Sequence, residues 1–220
     1  MNQEFLYVIL IIALGYILKR FSILEENDGE VISKLIFKIT LPALIFVTFD
    51  SVKIDPALAL LPVIVILYGA VVTILGLLFF KREERETKGA FLMLSSGFNV
   101  ALFAFPLVVA LWGMDGLTYF SIFDVGTSLI VFGLAYILGS YYSKEGLSLK
   151  PTKILKKLGK SIPLMSYVIA VILNISNIHL PDFIIDVGSK ISAANMPLSM
   201  LLLGLYLNLR FDKNLLKPIL

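Results

Sequence analysis

Apolar residues gather along this chain into long stretches broken by short charged ones. Segments 56–80, 89–114, 125–143, 161–178 and 191–209 contain no Lys, Arg, Asp or Glu. A helix needs about 20 residues to cross roughly 30 Å of hydrocarbon. Each of these segments meets or approaches that length, so each predicts a membrane span. Segment 125–143 extends back to Gly116 if Asp124 is accommodated. Two weaker stretches complete the set: 5–18, and 31–49 with Lys34 and Lys38 near its start, where long stems reach the headgroups. The pattern therefore predicts seven spans. All are expected to be helices, because an open sheet would leave backbone groups unpaired in lipid.

The first span could instead be a cleaved leader. A leader needs a basic start and a small-residue cleavage site. Here Glu4 precedes the run, and Lys19 and Arg20 follow it. A retained span is the expectation.

Composition agrees with the pattern. The 220 residues are 58% hydrophobic and 16% charged, with a mean hydropathy of +0.92. Soluble domains run nearer 45–50% apolar and about 25% charged. This excludes a cytosolic enzyme, a nucleic-acid binder and a disordered tail, leaving an all-α polytopic membrane protein. The chain has no Cys and one His, His179, so disulfides, thiolate chemistry and a His-rich metal site are excluded. The residues form no Ser/His/Asp set, phosphate loop or metal-ligand cluster. Neither an enzyme nor a cofactor is expected.

The basic residues set the orientation. Loops after spans 1, 3, 5 and 7 hold Lys19 and Arg20; Lys81, Arg82, Arg85 and Lys88; Lys144, Lys150, Lys153, Lys156, Lys157 and Lys160; and Arg210, Lys213 and Lys217. The opposite loops hold Lys53 and Lys190. The expected topology places the N-terminus outside the cell membrane and the basic loops in the cytoplasm. Within 150–161, lysines at i, i+3, i+4 and i+7 oppose Ile154, Leu155 and Leu158. That spacing predicts a basic amphipathic helix on the inner leaflet, in contact with membrane lipids. The mixed-charge loop 81–88 reads as a solvated turn.

The linker 144–160 divides the chain into spans 1–5 (1–143) and spans 6–7 (161–220). Span 2 reads SKLIFKITLPALIF and span 7 reads SKISAANMPLSMLL, each a Ser-Lys followed by a mid-helix proline. Five is odd, so the second unit enters the membrane from the opposite side. That is the arithmetic of an inverted repeat.

Helix-breaking and polar residues mark candidate sites. Span 4 holds Ser95, Ser96, Gly97 and Asn99, then Pro106. Proline lacks an N–H and frees a carbonyl. A break here would expose N–H groups with partial positive charge, suited to an anion. The Asn99 amide adds two donors and an acceptor. A plain proline kink packed by small residues fits the same spacing. Asp124 lies deep in span 5, where an ionised carboxylate costs roughly 2.5–3.5 kcal/mol on insertion scales. It is a candidate for proton or sodium coupling, or else a carboxyl bonded to Thr127 or a neighbouring helix. Pro42, Pro197 and Asn195 are candidates for a cavity wall. Asn174, Asn177 and His179 read as interfacial, and Trp112 as an outer anchor.

Three stretches carry a family resemblance: GYILKRFSIL (15–24) with SKLIFKITLPALIF (33–46), GFNVALFAFPLVVALWG (97–113), and LPDFIIDVGSKISAANMPLSMLLLGLYL (180–207). Through them the chain resembles, nearly end to end, the prokaryotic permease branch of the auxin efflux carrier family. The resemblance implies ten helices in two inverted five-helix repeats. The fourth helix of each repeat is broken, and the breaks cross at mid-membrane to form the substrate site. The family's Asn and following Pro fall on Asn99 and Pro106. Phe98 and Ala104 stand where relatives often have Pro and Gly. The implied activity is secondary transport of small organic anions such as carboxylates, by alternating access. Spans 3–5 would move against a scaffold of spans 1, 2, 6 and 7, which also suggests a homodimer face. Spans 8–10 are not in the sequence, so the resemblance implies a truncated chain. The competing expectation is a non-transporting membrane subunit or interaction protein.

Overall fold

The computed structural model describes residues 3–52, 57–97, 104–144 and 151–208, which form helices and their connecting turns with no strand among them. Helix α1 is Gln3–Arg20. Helices α2 (Asp28–Leu35) and α3 (Leu41–Ser51) are joined by a π-helical stretch, Ile36–Thr40. Helix α4 is Leu60–Phe79 and α5 is Arg85–Ser96. Helix α6 (Phe105–Ser128) runs through a second π-helical stretch, Leu129–Ala135, into α7 (Tyr136–Tyr142). Then come α8 (Pro151–Leu158), α9 (Ile162–Ile175), α10 (Asp182–Ser192) and α11 (Asn195–Tyr206).

Among the described residues, three continuous helices are long and apolar enough to cross a membrane: Asp28–Ser51, Leu60–Phe79 and Gly116–Tyr142. The other expected spans are shorter or interrupted. The chain leaves helical geometry at Gly97, within expected span 4. Expected span 7 is bent at Ala193 and Ala194, between α10 and α11. Helix α10 itself occupies residues read from hydropathy as a loop. Asp182, Asp186 and Lys190 interrupt its apolar pattern, yet Gly188 lies against Val47 of α3. The charged segment 81–88 is a turn only in its first half. From Arg85 it is the first turn of α5, and Arg85 donates to the Tyr141 carbonyl at 2.7 Å.

Helix α4 shows why the fold suits lipid. Its buried positions are Val65, Gly69, Thr73 and Gly76, while Leu67, Leu78 and Phe79 are exposed. A soluble helix turns its large apolar residues inward. Here small residues face the protein and large ones face outward, as membrane helices do. The small positions admit neighbours: a Cβ at Gly76 would lie 2.8 Å from Leu92.

The helices pack as two groups. In one, α1 lies along α11, and α3 packs on both α9 and α10. In the other, α4 packs on α5 and α6, and α5 on α7. Gly15 and Gly204 bring α1 and α11 into backbone contact. A Cβ at Gly204 would collide with the Ile12 carbonyl oxygen and lie 2.9 Å from the Gly15 Cα. The main core, Ile36, Leu41, Ile45, Phe49, Tyr167, Ala170, Leu202 and Leu205, belongs to the first group.

Candidate functional site

The break in expected span 4 begins at Gly97, whose φ of −123° and ψ of 147° are extended. The sequence before it loosens the helix. Ser95 Oγ donates to the Leu92 carbonyl at 3.3 Å and Ser96 Oγ to the Met93 carbonyl at 3.5 Å. Such back-bonding competes with the helical ladder. Gly97 lies against Val131, whose Cγ2 would be 2.9 Å from an added Cβ. Val131 belongs to the π-helical stretch Leu129–Ala135, so one backbone irregularity faces another.

Helix α6 begins at Phe105 with Pro106 in its first turn, and Ala104 before it is already π-helical. Asn99 lies outside the described residues. At the far end of this segment, Gly113 adopts φ 66° and ψ −157°, turning the chain into expected span 5. Trp112 beside it is exposed.

Asp124 is buried at 4% exposure on α6. Its partner is Tyr167 of α9, whose hydroxyl donates to Asp124 Oδ2. The Tyr167 ring meets Phe49 edge-on, with centroids 6.1 Å apart. Thr127 is not the partner; its hydroxyl donates to the Phe123 carbonyl at 3.4 Å. Ser121 and Ser128 likewise bond to carbonyls of their own helix. Ser95 and Ser96 bond within α5.

A third polar feature joins expected spans 2 and 7. Thr40 Oγ1 donates to Asn195 Oδ1 at 2.8 Å, both side chains buried. Pro42 opens α3 and is half-buried, whereas Pro197 is exposed. Asn195 therefore sits within the protein, while Pro197 faces out.

At the expected outer end, Asn174 is structural rather than simply interfacial. Its amide donates to the carbonyls of Phe49 at 2.6 Å and Val52 at 2.7 Å, satisfying the end of α3. Asp50 accepts from the Leu180 backbone N–H at 3.1 Å, and His179 lies 3.6 Å from the same carboxyl oxygen.

Sequence reasoning missed Tyr167 and Thr40. Their one available signal was a hydroxyl within an apolar span, where it must find a partner.

Residues 2–217 match a protein family described as membrane transport protein. An uncharacterized transporter of Methanothermobacter thermautotrophicus is 30% identical over 219 residues, covering 96% of this chain and 69% of the relative. An uncharacterized transporter of Methanocaldococcus jannaschii is 26% identical over 213 residues, covering 92% of this chain and 68% of the relative.

Proposed function

Because the chain belongs to the membrane transport protein family, the auxin efflux carrier family its motifs resemble, we propose that it serves secondary transport of small organic anions such as carboxylates. The observation that carries this reading is the loss of helical geometry at Gly97 inside an apolar span. Backbone N–H groups freed at such a break hold an anion without a full positive charge. Asn99 and the Ser95–Ser96 pair supply polar groups beside it, and Asp124 is the coupling candidate for a proton or sodium ion.

The two packing groups are what supports alternating access. Helices α4–α7 move against α1–α3 and α9–α11, which correspond to the scaffold of spans 1, 2, 6 and 7. An inverted repeat is supported by the packing. Exchanging spans 1 and 2 for spans 6 and 7 turns the α1–α11 contact into the α9–α3 contact, and both are extensive. On this reading seven spans of a ten-helix architecture lie in the chain, with division at the linker 144–160. The N-terminus is outside the cell membrane, basic helix α8 lies on inner-leaflet lipid, and the scaffold face pairs two copies.

The test is anion flux into proteoliposomes bearing the full-length gene product. A panel of radiolabelled mono- and dicarboxylates is offered, with Asn99→Ala in parallel. Uptake of a carboxylate that falls at least about tenfold in Asn99→Ala supports the site. Equal uptake by both proteins removes Asn99 from it, and no carboxylate uptake by the parent protein removes the substrate class.

A further inference from the structure

Asp124 and Tyr167 stand on opposite sides of the seam between the two helix groups. Asp124 is on α6, which packs with α4; Tyr167 is on α9, which packs with α3. Both side chains are buried, and the Tyr167 hydroxyl donates to the Asp124 carboxyl across the seam. The surrounding contact is apolar. Leu44 of α3 packs against Phe105 and Leu117 of α6, and Val125 packs against the core that contains Phe49 and Tyr167.

These two kinds of contact respond differently to sliding. Apolar side chains exchange one set of neighbours for another during a shear movement. A directed hydrogen bond in a low-dielectric interior has one geometry, and its groups are costly to leave unpaired. The bond therefore selects one relative position of the groups.

We propose that the Asp124–Tyr167 hydrogen bond is a latch: it holds the two helix groups in the conformation described, and it opens in each transport cycle. The proposal rests on the alternating-access reading and gives that movement a specific contact to break. Tyr167 is then a positioning residue. Its ring is anchored on Phe49, while its hydroxyl reaches Asp124 of the other group.

The test uses the absence of cysteine from the chain, which makes an introduced thiol the only one in these 220 residues. Leu117→Cys puts a thiol in the seam, at a position 6% exposed in this conformation. Its reaction with a membrane-impermeant maleimide is followed in the full-length protein in proteoliposomes. Removing the hydroxyl with Tyr167→Phe should speed labelling about tenfold, the population shift expected for loss of one buried hydrogen bond. An unchanged or slower rate overturns the latch.

The same thiol reads the contact during turnover. Labelling of Leu117→Cys with Tyr167 intact should quicken while carboxylate flux is under way, and a rate that flux leaves unchanged overturns the opening of the latch in each cycle. Absence of flux in the parent protein would remove the transport reading, while the labelling ratio would still judge the latch.

Discussion

Thr40 donates a 2.8 Å hydrogen bond to Asn195, and each of the two residues stands two positions before a proline, Pro42 and Pro197. The bond thus joins matching positions of the two Ser-Lys/Pro segments. In both segments the regular helix is interrupted just before the proline, by the π-helical stretch Ile36–Thr40 in one and by Ala193–Ala194 in the other. Where a two-fold relation maps one segment onto the other, matching residues meet only at its axis.

That contact predicts coupling. Thr40→Val and Asn195→Ala should each lower stability, with a double-mutant interaction energy of about 0.6 kcal/mol and a ceiling near 1.7 kcal/mol, the range for hydrogen bonds between membrane helices. Reversible unfolding in bicelles provides the free energies. Strict additivity of the two substitutions would show that the bond does not form.

The glycines separate crowding from strain. Gly204→Ala places a methyl into the backbone of α1 and should cost about 1–3 kcal/mol, as overpacking does. Gly113→Ala meets open space, with nothing within 4 Å. It should nevertheless cost about 1–3 kcal/mol, because φ 66° with ψ −157° lies in a region that essentially only glycine occupies. Gly133→Ala, also in open space but without a positive φ, should fall within about 0.5 kcal/mol of the parent. Melting temperatures in one detergent rank the three, and a Gly133 variant as damaged as the others would refute the distinction.

Asn174 should behave as a cap rather than as a surface amide. Asn174→Leu fits an apolar neighbourhood but leaves the Phe49 and Val52 carbonyls without their donor. The expected loss is about 1–3 kcal/mol for unsatisfied buried groups. Amide hydrogen exchange near the C-terminal end of α3 should accelerate in the variant. Unaltered exchange there would mean that water serves those carbonyls equally well.

Arg85 ties the start of α5 to α7 in two ways. It donates to the Tyr141 carbonyl and lies over the Tyr141 ring, 5.6 Å from its centroid. Lys has a point charge in place of a planar fork, so Arg85→Lys should recover less than half of the stability that Arg85→Ala removes. Equal melting temperatures for Lys and Arg at this position would show that charge alone matters.

Much of this fold is legible in hydropathy, because lipid demands long apolar helices. Segment 56–80 contains α4, and 161–178 contains α9, whose first turn carries Pro163. The basic spacing in 150–161 likewise marks α8, where Leu155 is exposed. Helix α10 was hidden because its charges lower the window average, although the helix packs on α3 through Gly188. The partners of buried polar groups were less legible. Asp124 stands out as an acid in an apolar run, but Tyr167 lies on another helix, and no local spacing joins them. The break at Gly97 was readable from Ser-Ser-Gly and the later proline. Its facing element, Val131 in a π-helical stretch, leaves no comparable mark in composition.

The stretch Leu129–Ala135 has one more consequence. A π-helix closes its hydrogen bonds over five residues instead of four, so this segment holds a surplus residue relative to regular helix. Losing that residue would let the ordinary spiral close and would rotate everything beyond it by about 100°, one residue's worth of turn. Gly139 would swing away from Met93, and Tyr142 from Gly89, the neighbours each now fits against. The wide turn is therefore an angular spacer: it aims the C-terminal half of its helix at α5 independently of how the N-terminal half is seated against α9.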